Sequence, residues 1–222
     1  MKLFLTSGGI TNQSMISAIE ELLGKPTSEA TALVVPTGGY PNARGIDGAV
    51  KFITGQDENR PPMVSIGWKS IGLLELTALP SIDASIWKER LAVTDVLLVN
   101  GGDALYLAHW FKVSGVSPFI RDLPNLLYVG LSAGSMALTP RIGEEFVGWN
   151  PDGRDDSTLG LVDFSIFPHV DHPILPENTM AAAEEWAGKL GNPAYAIDDA
   201  TAIQVVDGVF TFVSEGNYQK LR

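Results

Sequence analysis

The sequence predicts an α/β fold, a doubly wound and mostly parallel sheet flanked by helices, with a β-hairpin at its C-terminal end. Two observations carry that prediction. Short apolar runs alternate with amphipathic stretches, so that strand, glycine turn and helix recur four or five times over the first 140 residues. Glycine pairs also recur where the apolar runs stop, in "TSGG" (6–9), "PTGGY" (36–40), "NGGD" (100–103) and "SAGS" (132–135).

The elements follow in order. "LFLT" (3–6) reads as a buried strand, and "QSMISAIEELLG" (13–24) sets Met15, Ile19, Leu22 and Leu23 at helical spacing before a glycine stop. "TALVVP" (31–36) is the next strand, and "IDGAVKFITG" a helix. "MVSIG" (63–67) and "LLELTAL" (73–79) read as strands, and "SIDASIWKERLA" (81–92) as a helix capped by Ser81. "VLLV" (96–99) runs into "NGGDALYLAHWF", and "LLYVG" (126–130) into the serine turn. Past residue 140, "RIGEEFVGWNPDGRDDSTLG" is polar and loop-like. "VDFSIFPHV" (162–170) is a strand ending in a Pro-His turn, "PENTMAAAEEWAGKLG" (176–191) a helix and "AYAID" (194–198) a strand. "TAIQVVDGVFTFV" (201–213) is a hairpin turned at Asp207-Gly208. With no repeat, linker or low-complexity segment, residues 1–222 are expected to form one domain.

Composition narrows the function. The chain has no cysteine, which removes disulfides, zinc–thiolate sites and a cysteine nucleophile together. A formal charge of −11, with 15 scattered Lys and Arg, argues against nucleic acid. "MKLFLTSGG" is too short in apolar residues for a signal peptide, and no run approaches the ~18 residues of a membrane span. The expectation is a cytoplasmic protein that needs neither membrane, metal nor cofactor.

The chemistry concentrates in "YVGLSAGS" (128–135). Gly130-x-Ser132-x-Gly134 is the spelling of a nucleophile elbow, where a serine sits on a tight strand-to-helix turn between residues small enough to let the backbone bend. A serine nucleophile needs a base, and the chain offers His109, His169 and His172. His109 falls mid-helix in an apolar stretch and reads as a packed residue. His169 follows a strand and Pro168, on the rim where open α/β sheets bind ligands, and is the expected base, ahead of His172. The Ala133 N–H, next after the nucleophile, and the Gly102 N–H on the neighbouring strand end are the candidate oxyanion hole. Gly38, Gly39, Gly101 and Asp103 are expected to contact substrate. The glycines fit neither a dinucleotide fingerprint, since no G-x-G-x-x-G occurs, nor a P-loop, since no G-K-[ST] occurs.

"VNGGDALYL", "YVGLSAGS", "IFPH" and "AIDDATAIQV" together resemble, in order and spacing, the serine peptidases of the peptidase E (aspartyl dipeptidase) and cyanophycinase family. The resemblance runs over essentially the whole chain and implies a class I glutamine amidotransferase-like sandwich. It implies Ser132 as nucleophile, His169 as base, and Gly102 with Ala133 as oxyanion hole. It also implies an acidic triad member in the loop after the nucleophile helix, where Glu145 is expected ahead of Glu144, with Asp152 further off. One feature departs from the family. The aspartyl dipeptidases carry a substrate-binding arginine after the histidine, whereas "DHPILPENTMAAAEEWAG" has none. The next cation after His169 is Lys189, near the end of the following helix, while Arg44, Arg141 and Arg154 could approach the rim from other loops, and a preference for aspartate is not expected. The implied activity is hydrolysis of amide bonds in short peptides through an acyl-enzyme, by a monomer or homodimer. A cyanophycinase-like or modified-peptide amide hydrolase is the alternative, and a catalytically idle small-molecule binding module is the alternative of another class.

Overall fold

The computed structural model describes residues 1–43, 45–56, 63–153 and 155–222. In chain order these form β1 (Lys2–Thr6), α1 (Gln13–Leu23), β2 (Thr31–Val35), α2 (Gly45–Thr54), β3 (Ser70–Leu73), α3 (Ala84–Ala92), β4 (Val96–Val99), α4 (Ala104–Val113), α5 (Val116–Arg121), β5 (Leu127–Leu131) and the single turn α6 (Ala133–Met136). Then come β6 (Ser165–Phe167), α7 (Met180–Leu190), β7 (Ala194–Ile197), β8 (Thr201–Val206), β9 (Val209–Ser214) and β10 (Tyr218–Lys220).

Seven strands make the main sheet in the order β3-β2-β4-β5-β1-β8-β9, parallel from β3 to β1 and antiparallel from β1 through β8 to β9. Its central strands are apolar without alternation because both faces are covered. Leu3, Leu5, Leu33, Val35, Leu97 and Val99 pack on one face with Trp87 of α3 and Phe111 of α4. Phe4, Val34, Leu98 and Val129 pack on the other with Met15 and Ile19 of α1 and Phe52 of α2. A second sheet, β10-β7-β6, sets β6 and β7 parallel, so residues 168–170 and 198–200 leave it at the same end.

Local signals explain the element ends. The Asn12 side chain accepts from Met15 N at the start of α1, and Gly24 closes that helix at φ 69°. Asp207 (φ 50°) and Gly208 (φ 80°) are both left-handed, as a two-residue type I′ hairpin turn requires.

Two apolar runs do not become the expected strands. Residues 63–67 form turns, with Met63 and Val64 buried under the sheet and the Trp68 indole N–H donating to Met63 O. The edge strand β3 is Ser70–Leu73, and in the run 73–79 Leu74, Leu76 and Leu79 are buried from turn and 3-10 backbone. Burial, not strand pairing, is what those leucines satisfy. Helix α3 starts two residues later than expected, because Asp83 rather than Ser81 caps it by accepting from Ser85 N. Helix α7 starts after Thr179, whose hydroxyl accepts from Ala182 N.

Candidate active site

Three carboxyl ends of the parallel strands, after β1, β4 and β5, meet beside the two loops that leave the smaller sheet. Ser132 stands at the end of β5 with φ 52° and ψ −113°, a conformation that costs on the order of 1–3 kcal/mol and persists only where the surroundings impose it. They do impose it. Ser132 N–H donates to Thr6 O at 3.0 Å, and the Ser135 hydroxyl donates to the same carbonyl at 2.7 Å, tying the turn to the end of β1. A Cβ on Gly134 would lie 2.5 Å from Val99 O, so the elbow closes against β4 only with glycine there.

His169 follows β6 and also has a left-handed backbone, φ 58°. Its N–H donates to the Ser7 hydroxyl at 2.6 Å, which fixes the turn. Its Nε2 lies 2.9 Å from Ser132 Oγ, and its Nδ1 lies 2.6 Å from Asp199 Oδ1. The Ser7 hydroxyl donates in turn to Asp199 Oδ1 at 2.7 Å, and His172 Nε2 lies 3.4 Å from Asp199 Oδ2. Burial works to raise the Asp199 carboxyl, but the hydrogen bond and charge of His169, the Ser7 hydroxyl and His172 outweigh it and hold Asp199 below the ordinary carboxylate value.

The expected acid, Glu145, is elsewhere. It sits in a 3-10 turn with its Oε1 2.7 Å from Lys189 Nζ, and that ion pair holds its carboxyl below the usual value. Glu144, beside it, is exposed, and Asp152 lies in an exposed turn. Among the described residues the His169 ring is hydrogen-bonded by Ser132, Asp199 and Ser7 and by neither glutamate. The carboxylate reaches the histidine from the β7–β8 loop instead, because β8 pairs antiparallel with β1 and carries residues 198–200 to the end of β1, where Ser7 waits. Ser7 and Asp199 are the residues the sequence reading missed. The signal was present for both, in "TSGG" and in "AIDDATAIQV", but only as strand-end spelling.

Gly102 (φ 128°) allows the β4 loop to pass so close to the β2 loop that a Cβ would lie 2.0 Å from Gly38 O. Neither the Gly102 nor the Ala133 N–H has an acceptor among the described residues. The helix behind Ala133 is a single turn, so that N–H acts as one donor and not as the end of a long helix dipole. Asp103, expected to touch substrate, is taken up by structure. It caps α4 by accepting from Tyr106 N at 2.9 Å, and its other oxygen accepts from Trp149 N at 2.5 Å. Gly38 is likewise a spacer, its carbonyl accepting from Asp103 N at 2.8 Å. His109, on α4, packs edge-on against Trp110 of the same helix and tilted against Trp149 of the loop after the elbow.

Two clefts open from this centre. One, of about 380 Å³, is walled by Gly8, Gly39, Asn100, Gly101 and Ile174 and reaches His169 and Asp199. The other, of about 510 Å³, runs from Ser132 and Ala133 past Phe146 and Trp186 to Glu145 and Lys189. Gly102 and His169 border both. Arg141 is held away by Asp156, its Nε 2.8 Å from that carboxylate, while Arg44 and Arg154 lie outside the described residues. Among the described residues no cluster of three or more His, Asp or Glu is arranged to hold a metal, and no helix is long and apolar enough to cross a membrane.

The profile of peptidase family S51 matches residues 3–213, nearly the whole chain. The chain belongs to peptidase family S51. An S51 chain with this elbow is similar, at 29% identity over 120 residues, to a Listeria monocytogenes protein described as an uncharacterized peptidase; the match spans 51% of this chain and 58% of that one. The S51 fold also recurs in crystal structures. A peptidase E-type protein from Listeria monocytogenes EGD-e matches with a TM-score of 0.67 at 20% identity, covering 97% of this chain and 98% of its own. A peptidase from an acI-B1 Actinobacterium matches with a TM-score of 0.72 at 15% identity, covering 100% and 90%. The mixed, mostly parallel sheet flanked by helices is thus the peptidase E fold that the sequence predicted, and the smaller second sheet is an addition that the sequence reading did not include.

Proposed function

We propose that this S51 peptidase is a serine hydrolase of short peptides, working through an acyl-enzyme at Ser132. One observation carries the reading: the hydrogen-bonded relay from Ser132 Oγ through the His169 ring to Asp199, with 2.9 and 2.6 Å steps. As the Ser132 oxygen attacks the peptide carbonyl, His169 Nε2 takes its proton. Asp199 holds the Nδ1–H, fixing the tautomer and balancing the imidazolium that forms. The oxygen of the tetrahedral intermediate is received by the Gly102 and Ala133 N–H groups. His169 then returns the proton to the leaving amine, and water, activated by the same imidazole, releases the acid.

Two clefts that share Gly102 and His169, the larger of them lined by Ser132, support cleavage between residues held on either side. Their small combined space favours short peptides over a folded protein, with a dipeptide as the minimal substrate. The test is labelling with a fluorophosphonate probe, followed by identification of the modified residue. Ser132 should be modified, and Ser132→Ala should be neither labelled nor active on a panel of short peptides. A wild-type protein that folds, binds peptides and stays unlabelled would instead be a binding module.

A further inference from the structure

The larger cleft carries apolar surface that the relay does not use. It is lined at one end by Ser132 and Ala133, so a group that fills it lies beside the nucleophile and a proposed oxyanion donor. Its volume of about 510 Å³ is that of a small-ligand site, ample for one substrate residue. Three of its lining side chains are apolar and only half-buried, and so have surface to offer: Phe146, Leu175 and Ala182. The wall is also preformed. The Phe146 ring meets Phe167 edge-on at 5.3 Å between centroids and Trp186 at 6.2 Å, and both of those rings are buried. The Trp186 indole N–H donates to Ile142 O at 2.7 Å, which ties the loop carrying Phe146 to α7 and leaves the indole with no unpaired donor. A Cβ on Gly143 would collide with that indole, so the loop lies this close only with glycine there. Contact area held in place before binding costs little to order when substrate arrives.

The charges of the cleft stand in water. Lys189 pairs with Glu145 at 2.7 Å and with Glu185 at 3.0 Å, and these three side chains are 40–74% exposed. Glu177, on the same cleft, is exposed too. Three carboxylates against one ammonium oppose an anionic side chain. Their exposure lets water and salt screen the attraction for a cationic one. The interaction least weakened by that setting is burial of apolar surface against Phe146, Leu175 and Ala182.

We propose that the larger cleft is the specificity pocket, and that it selects a bulky apolar side chain, aromatic or branched aliphatic, on a residue next to the scissile bond, with Phe146 as the wall that meets it. The substrates are then short peptides with such a residue on one side of the bond that is cut. This rests on the serine-hydrolase reading above and deepens it by naming the substrate class.

The experiment measures kcat/KM for dipeptides carrying Ala, Leu, Phe or Lys at the first position and, in a second series, at the other. At one of the two positions Phe or Leu should exceed Ala about thirtyfold or more, and Lys about tenfold or more. In Phe146→Ala the ratio of the favoured substrate to the Ala substrate should fall below about fivefold, whereas Phe146→Leu, which keeps an apolar wall, should retain most of it. If thermal melts show that Phe146→Ala is unfolded, Ala182→Phe, which fills the cleft, should remove the same preference. Flat rates across both series in the wild type, Lys faster than Phe and Leu, or a preference that survives in the folded variants would overturn the proposal. Fluorophosphonate labelling separates the two levels. Ser132 labelled without a Phe146-dependent apolar preference removes this inference alone, whereas an unlabelled wild type removes the hydrolase reading and this inference with it.

Discussion

Asp199 Oδ1 lies 2.6 Å from Nδ1 of His169, while the Ser7 hydroxyl donates to that same oxygen from the end of β1 at 2.7 Å. One carboxylate oxygen therefore ties together three segments far apart in the chain. Losing the carboxylate should leave an imidazole with neither a fixed tautomer nor a counter-charge. Asp199→Asn is expected to lower kcat by a factor on the order of 10³–10⁴ while the protein still folds. Glu145→Gln, which breaks only a surface ion pair with Lys189, should stay within about threefold of wild type. Steady-state rates on a short peptide decide between them, and the opposite ranking would return the acid to the loop after the elbow.

His169→Ala should lower kcat by on the order of 10⁴–10⁶, since members of such a relay act as a unit. The His172 ring lies edge-on to the His169 ring and its Nε2 lies 3.4 Å from the far oxygen of Asp199, with no hydrogen bond to Ser132, and His172→Ala should cost about tenfold or less. Equal losses in the two variants would mean that His172 shares the proton transfer.

Ser7 receives the His169 N–H and donates to Asp199, so it positions both partners without reaching Ser132. Ser7→Ala should reduce kcat roughly tenfold, with KM little changed, and should cost about 1 kcal/mol of stability for a lost buried hydrogen bond. Ser7→Thr, which keeps the hydroxyl, should recover most of the rate. A purely structural residue would show the melting shift without the kcat loss.

The depressed Asp199 carboxyl also makes a prediction about stability. Its folded-state pKa lies below the unfolded value of about 4, so between those two pH values the unfolded chain binds the extra proton. Stability from this group is therefore complete above about pH 4 and is lost as pH falls through the folded value. Denaturant melts between pH 3 and 6 should show the stability gap between wild type and Asp199→Asn narrowing as the pH falls. A gap that is constant or widens toward acid would contradict the assigned shift.

An Asp-Xaa dipeptide is not expected to be strongly preferred over one with a neutral first residue. The cation on the larger cleft, Lys189, already pairs with Glu145 and Glu185, and Glu177 lines the same space. A charge-paired pocket would discriminate by roughly 2–3 kcal/mol, about 30- to 150-fold in kcat/KM. Both substrates should be measured at one ionic strength; a preference above about thirtyfold would show that an arginine reaches the site after all, with Arg44 and Arg154 the first to replace by Gln.

The sequence by itself determined whatever depends on neighbours along the chain. The elbow at Ser132 could be read because strand, turn and glycine spacing are local, and His169 because it directly follows a strand and Pro168. The central parallel sheet could be read because strands buried on both faces are apolar throughout. The hairpin at Asp207-Gly208 could be read from its turn residues. Tertiary structure alone decided the rest. Whether an apolar run pairs or merely packs, as at 63–67 and 73–79, depends on which strand stands beside it. The acid on His169 was misplaced because nearness in sequence to Ser132 says nothing about nearness to the histidine ring. Asp199 comes from a loop 67 positions beyond Ser132, delivered by the antiparallel pairing of β8 with β1 and the parallel pairing of β7 with β6. Those pairings are set by the burial of whole strands, a sum over many residues that leaves no mark on the aspartate it positions.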